Sequence, residues 1–91
     1  MVVMTQAEWT RKLYARVRPQ FDPETQAGLD DLLVHAGALV VCIGLISFAV
    51  EGTIVLTSDE LATAREYAEN GKLLKSSAYL AEGLRKLPAA A

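Results

Sequence analysis

The residues able to do chemistry in this chain are few. There is one histidine, His35, and one cysteine, Cys42, and two carboxylate pairs stand side by side at Asp30–Asp31 and Asp59–Glu60. A histidine can ligate haem iron through a ring nitrogen. The small residues Ala36, Gly37 and Ala38 after it would let a flat tetrapyrrole approach, so His35 is the one candidate for cofactor ligation. It has no second ligand at matching spacing. The plainer reading is a structural histidine near a helix end, reaching a backbone group or a headgroup layer. Cys42 has no neighbouring base and reads as a small apolar filler, not a nucleophile. Adjacent helical residues point in different directions, so neither carboxylate pair is set for acid–base work, and both read as solvated or dipole-favouring charges. One cysteine excludes an internal disulfide, and one His with one Cys excludes a zinc site built from those types. Gly-rich phosphate loops, HExxH and GxSxG are all missing from the sequence. No catalysis, cofactor or metal is expected.

A different kind of site is suggested by spacing. Gly37 and Gly44 lie seven apart, and Glu51 continues the line. On one continuous helix the three share a face, and small residues on a face let a partner helix come close. Gly37, Gly44 and Glu51 are therefore the candidate helix-packing interface, with Glu51 placed where lipid would give way to headgroups.

The elements that must carry these residues read as helices. Thr5-Gln6-Ala7-Glu8 has the form of a capping box and opens a helix over 6–17. Trp9, Leu13 and Val17 form its apolar stripe, with Ala7 and Tyr14 beside them, and Arg11, Lys12, Arg16 and Arg18 take the rest of the surface. Asp22-Pro23-Glu24 is a second start signal, with an N-cap, a proline for the first turn and a favourable negative charge. From there a long helix over 23–50 is expected, although Gly28, Gly37 and Gly44 each weaken it by about 1 kcal/mol relative to Ala. Residues 52–57 are rich in β-branched side chains and read as extended, with a short hairpin turning at Glu51-Gly52 as an alternative. Thr57-Ser58-Asp59-Glu60 is another capping signature. It opens a helix with Leu61, Ala64, Tyr67 and Ala68 on one side, and Asn70-Gly71 closes it. A last helix over 72–86 carries Leu73, Leu80, Leu84 and Leu87, so residues 58–87 form an αα-hairpin. Met1–Met4 and Pro88–Ala91 look like loose termini. The whole is an all-α chain forming a single small domain over 1–91.

The most informative stretch is Leu32–Val50, which holds no charged residue and only His35 and Ser47 as polar ones. A helix apolar all round has no face to give to water. Nineteen residues at about 1.5 Å each span roughly 28 Å, close to the hydrocarbon thickness of a bilayer. The flanking amphipathic pieces are too short to wrap such a helix in a monomer, so either lipid or sister copies must cover it. The leading expectation is a single membrane span, and Lys12, Arg16 and Arg18 ahead of it favour a cytoplasmic N-terminus. The run begins too far into the chain for a signal peptide.

Two functions follow as expectations. The first is a non-catalytic, single-pass accessory or assembly subunit, packed in the bilayer against a larger membrane complex or against itself. The second is a soluble homo-oligomeric regulatory module of the antitoxin or anti-activator kind, binding protein or DNA through its C-terminal hairpin. That hairpin has the raw form of a helix-turn-helix. However, Glu66, Glu69 and Glu82 dilute its basic residues, and 9 Lys and Arg against 11 Asp and Glu give a net charge of −2. Nucleic acid is thus an unexpected partner.

Overall fold

The computed structural model describes residues 4–88. Met1–Val3 and Ala89–Ala91, and with them most of the two stretches expected to be loose termini, lie outside the described residues. Among the described residues there are five α-helices: α1 (Gln6–Val17), α2 (Pro23–His35), α3 (Ala38–Glu51), α4 (Ser58–Glu69) and α5 (Ser77–Arg85). Short 3-10 turns occupy Arg18–Gln20 and Leu74–Ser76, and no strand occurs among the described residues. Contacts group the chain into two units, Met1–Gly44 and Leu45–Ala91.

In the first unit, α1 starts as its capping box dictates. The Glu8 amide donates to Thr5 Oγ1 at 3.1 Å, and the Glu8 carboxylate reaches back to the Thr5 amide at 3.4 Å. Trp9, Thr10, Leu13, Tyr14 and Val17 are buried, the expected stripe with Thr10 added. The Thr10 hydroxyl is satisfied by donating to the Gln6 carbonyl at 2.8 Å. Asp22 caps α2 by accepting from the Thr25 amide at 2.7 Å; hydrogen bonds from the Thr25 side chain first, and its amide second, hold the Asp22 carboxyl below the usual carboxylate range.

The expected helix over 23–50 is two helices. The amides of Ala36 and Gly37 both donate to the Leu32 carbonyl, at 2.8 and 2.9 Å, and Gly37 adopts φ +97°. That backbone region suits glycine and ends the helix. Gly28 and Gly44 stay inside α2 and α3. Three glycines each weaken the helix by propensity, and one of them terminates it.

This break overturns the membrane span. At about 1.5 Å per residue, the fourteen residues of α3 reach roughly 21 Å, well short of the ~30 Å hydrocarbon layer. No helix among the described residues is long and apolar enough to cross a membrane. The expected membrane placement and its N-terminal orientation fall with it. Within the run, Val41, Cys42, Leu45, Ile46 and Ala49 are buried.

In the second unit, α3 ends at another left-handed glycine, Gly52, with φ +87°. The connector that follows alternates: Ile54 and Leu56 are buried and Val55 is 64% exposed. It forms no hairpin strand, and Thr57 ends it by capping α4 with a second capping box. Leu61, Ala64 and Ala68 of α4 are buried, as are Ser77, Leu80, Ala81 and Leu84 of α5. The last helix starts at Ser77, not Lys72. Leu73 is fully buried, its amide donates to the Ser77 hydroxyl at 2.9 Å, and Leu74 takes φ +55°. Burying Leu73 diverts the chain before it can turn helical.

Candidate functional site

His35 ends α2 on the surface. Its Nε2 lies 3.4 Å from Asp31 Oδ1, and the two side chains are 73% and 70% exposed. An ion pair so open to water contributes little to stability. A ring this open to water offers no enclosed place for a flat cofactor. Cys42 is buried and accepts a contact from Gln6 Nε2 at 3.5 Å. Among the described residues no group of three His, Cys, Asp or Glu is placed to hold a metal ion.

The carboxylate pairs separate as their sequence adjacency requires. Asp30 turns toward α1, where Arg18 donates through Nε at 3.1 Å and Nη2 at 2.7 Å, and the Tyr14 hydroxyl donates at 2.6 Å. Asp31 turns to His35 instead. The Arg18 and Tyr14 hydrogen bonds lower the Asp30 pKa to about 2. The Tyr14 phenol is pushed up, first by burial and then by the adjacent carboxylate. Gln26 completes this network, donating to the carbonyls of Arg18 at 2.9 Å and Phe21 at 3.1 Å and accepting from Tyr14 through its own carbonyl. The network ties α1 to α2. In the second pair, Glu60 is spent on the Thr57 capping box and Asp59 faces solvent.

The candidate packing face loses its first member. Gly37 lies between two helices and not on one, so it cannot share a helical face with Gly44. Gly44 and Glu51 both remain on α3, where Gly44 is half-buried and Glu51 exposed. A Cβ built at Gly44 meets nothing within 4 Å. Within the structure, then, no neighbour uses the space that Gly44 leaves.

The hairpin α4–α5 has a longer connector than a helix-turn-helix. Its helices are joined by seven residues, Asn70–Ser76, against three or four in a helix-turn-helix. Arg85 and Lys86 lie 3.4 and 3.9 Å from Glu82 and are partly neutralised by it. What holds the hairpin was invisible in the sequence. Arg65 on α4 donates to the Leu84 carbonyl at 3.2 and 3.0 Å and to the Leu87 carbonyl at 3.0 Å, satisfying the free end of α5. A cavity of about 130 Å³ in this unit is lined by Ala49, Gly52, Ile54, Leu56, Leu61 and Leu87 among others. Only apolar side chains face it, so it offers no chemistry.

The surface that stands out is the corner where α2 meets α3. Leu32, Val34, Leu39 and Val40 are 39%, 76%, 37% and 41% exposed, four large apolar side chains within nine residues. Single exposed hydrophobics are ordinary, but four so close together on adjoining helix ends are the candidate interaction surface. This corner is the uncovered first half of the uncharged run. Comparison of the chain with protein-family models, with curated proteins and with solved structures found no match.

Proposed function

We propose that this chain is a non-catalytic association module that pairs with a second copy of itself through the apolar corner at residues 32–40. The observation that supports it is the exposure of Leu32, Val34, Leu39 and Val40 on adjoining helix ends. An uncharged run that the chain buries only in part leaves apolar surface in water, and a sister copy removes it. Beside this corner Asp31 and His35 already face each other. Binding, not turnover, is the activity this surface serves.

The test is the mass of the full chain in solution across a dilution series, by sedimentation or light scattering. The native chain is expected to pass from dimer to monomer on dilution. Val34→Asp puts a charge into the covered surface and should weaken the dimer by tenfold or more, about 1.4 kcal/mol. Ala62→Asp, on the exposed side of α4, should leave it unchanged. A native chain that stays monomeric at every concentration ends this reading.

A further inference from the structure

We infer that the element of the second copy that covers the corner is its helix α1, held in an antiparallel register by opposite charge; this rests on the association proposed above. Residues 19–64 contain no Lys or Arg, yet they include seven carboxylates: Asp22, Glu24, Asp30, Asp31, Glu51, Asp59 and Glu60. On α2, Asp22 is occupied with its cap and Asp30 with Arg18. Glu24 and Asp31 remain exposed on the outer side, Asp31 with His35 at 3.4 Å beside it. They are two helical turns apart, about 10 Å, and lie on one stripe with Gly28 and His35, Leu32 flanking it. A Cβ built at Gly28 meets nothing within 4 Å, so the stripe is open to an approaching helix.

The outer face of α1 carries the opposite sign. Trp9, Leu13 and Val17 point inward, which leaves Glu8, Arg11, Lys12 and Ala15 exposed on the far side. Glu8 is drawn back to Thr5 by the capping box, so the cations dominate that face. Laid antiparallel on α2 of a second copy, α1 sets Arg11 and Lys12 between Glu24 and Asp31. The same register brings Met4, 38% exposed just ahead of α1, to the C-terminal end of α2, where Leu32 and Val34 flank the stripe. A two-fold axis makes each contact twice, so each copy covers the α2 side of the other's corner. Lipid is a poorer occupant, because an anionic headgroup would meet Glu24 and Asp31 beside the apolar side chains.

Two full-length variants test this. Arg11→Glu/Lys12→Glu reverses the face of α1, and Glu24→Lys/Asp31→Lys reverses the stripe on α2, with circular dichroism confirming that each folds. Each alone should dimerise at least tenfold more weakly than the native chain. Mixed together, they should recover a heterodimer of near-native affinity, since each then offers what the other lacks. If both variants dimerise as the native chain does while Val34→Asp still breaks the dimer, the α1 register is wrong and the association stands. If Val34→Asp has no effect either, the corner is not the interface. Flotation of a monomeric native chain with phosphatidylcholine–phosphatidylglycerol vesicles would overturn the second copy in favour of lipid.

Discussion

Arg18 holds Asp30 with two hydrogen bonds, Nε to Oδ1 at 3.1 Å and Nη2 to Oδ2 at 2.7 Å, the paired geometry of guanidinium on carboxylate. With the Tyr14 hydroxyl on the same carboxylate, this contact joins α1 to α2. The folded state lowers the Asp30 pKa from 3.8 to about 2. Its contribution to stability is therefore whole above the ordinary carboxylate pKa and is lost as pH falls through the folded value. Asp30→Asn should lower the thermal midpoint at neutral pH, and the gap from the native chain should close between pH 3.8 and about 2. A gap that persists at the lowest pH would show that the pair is not its source. Tyr14→Phe should raise the Asp30 pKa toward its ordinary value, read from the carboxyl carbon shift in an NMR titration.

Gly83 lets α5 approach the end of α3. A Cβ built there would lie 2.6 Å from Val50 Cγ1 and 3.1 Å from Val50 Cγ2. Valine is stiff at χ1 and cannot swing both methyls away. Gly83→Ala gains about 1 kcal/mol of helix propensity but meets an overpacking penalty of about 1–3 kcal/mol. A net loss of up to about 2 kcal/mol is expected in urea unfolding. Adding Val50→Ala should make the two changes strongly non-additive, with the penalty of Gly83→Ala removed in that background. Additive effects would place the clash elsewhere.

Arg65 closes the far end of α5. Removing its three hydrogen bonds in Arg65→Met leaves the Leu87 carbonyl to water and the Leu84 carbonyl with only its backbone partner, and should cost about 1–3 kcal/mol. Arg65→Lys has a single ammonium in place of a planar fork and should recover only part of this. Hydrogen exchange in the last turn of α5 is the direct readout. Protection there that survives Arg65→Met would mean that packing alone fixes the turn.

Leu74 is the one non-glycine residue with positive φ among those described, at +55°, and its side chain is 63% exposed. The left-handed backbone costs an L-residue about 1–2 kcal/mol, while glycine adds about 0.4–1 kcal/mol of unfolded-state entropy. Leu74→Gly should therefore stabilise the chain by about 0.5 kcal/mol. Leu74→Val, branched at Cβ, should destabilise it. The denaturant midpoint decides both signs.

Much of the secondary structure was legible because it depends on local groups. The capping boxes at Thr5 and Thr57, the cap at Asp22 and the α1 stripe of Trp9, Leu13 and Val17 all need only neighbours within a few residues. The helix over 6–17 matches α1, and the α4 start at Ser58 follows its signature. The errors fell where several local options have similar energy. Gly28, Gly37 and Gly44 each lower helix stability by a similar amount, so propensity alone could not select Gly37 as the break. Likewise nothing near Lys72 reveals that burying Leu73 delays α5 to Ser77.

The amino-acid order by itself determined that this chain is helical, that its middle is apolar and uncharged, and that residues 19–64 carry acids but no Lys or Arg. These follow from side-chain chemistry within a turn or two of helix. The tertiary structure alone decided that the apolar run bends at Gly37, and that Val41, Cys42, Leu45, Ile46 and Ala49 are buried while Leu32, Val34, Leu39 and Val40 stay in water. It also chose Arg18 for Asp30 and Arg65 for the end of α5. Such choices compare distant groups, whose desolvation and packing energies exist only once the chain has brought them together.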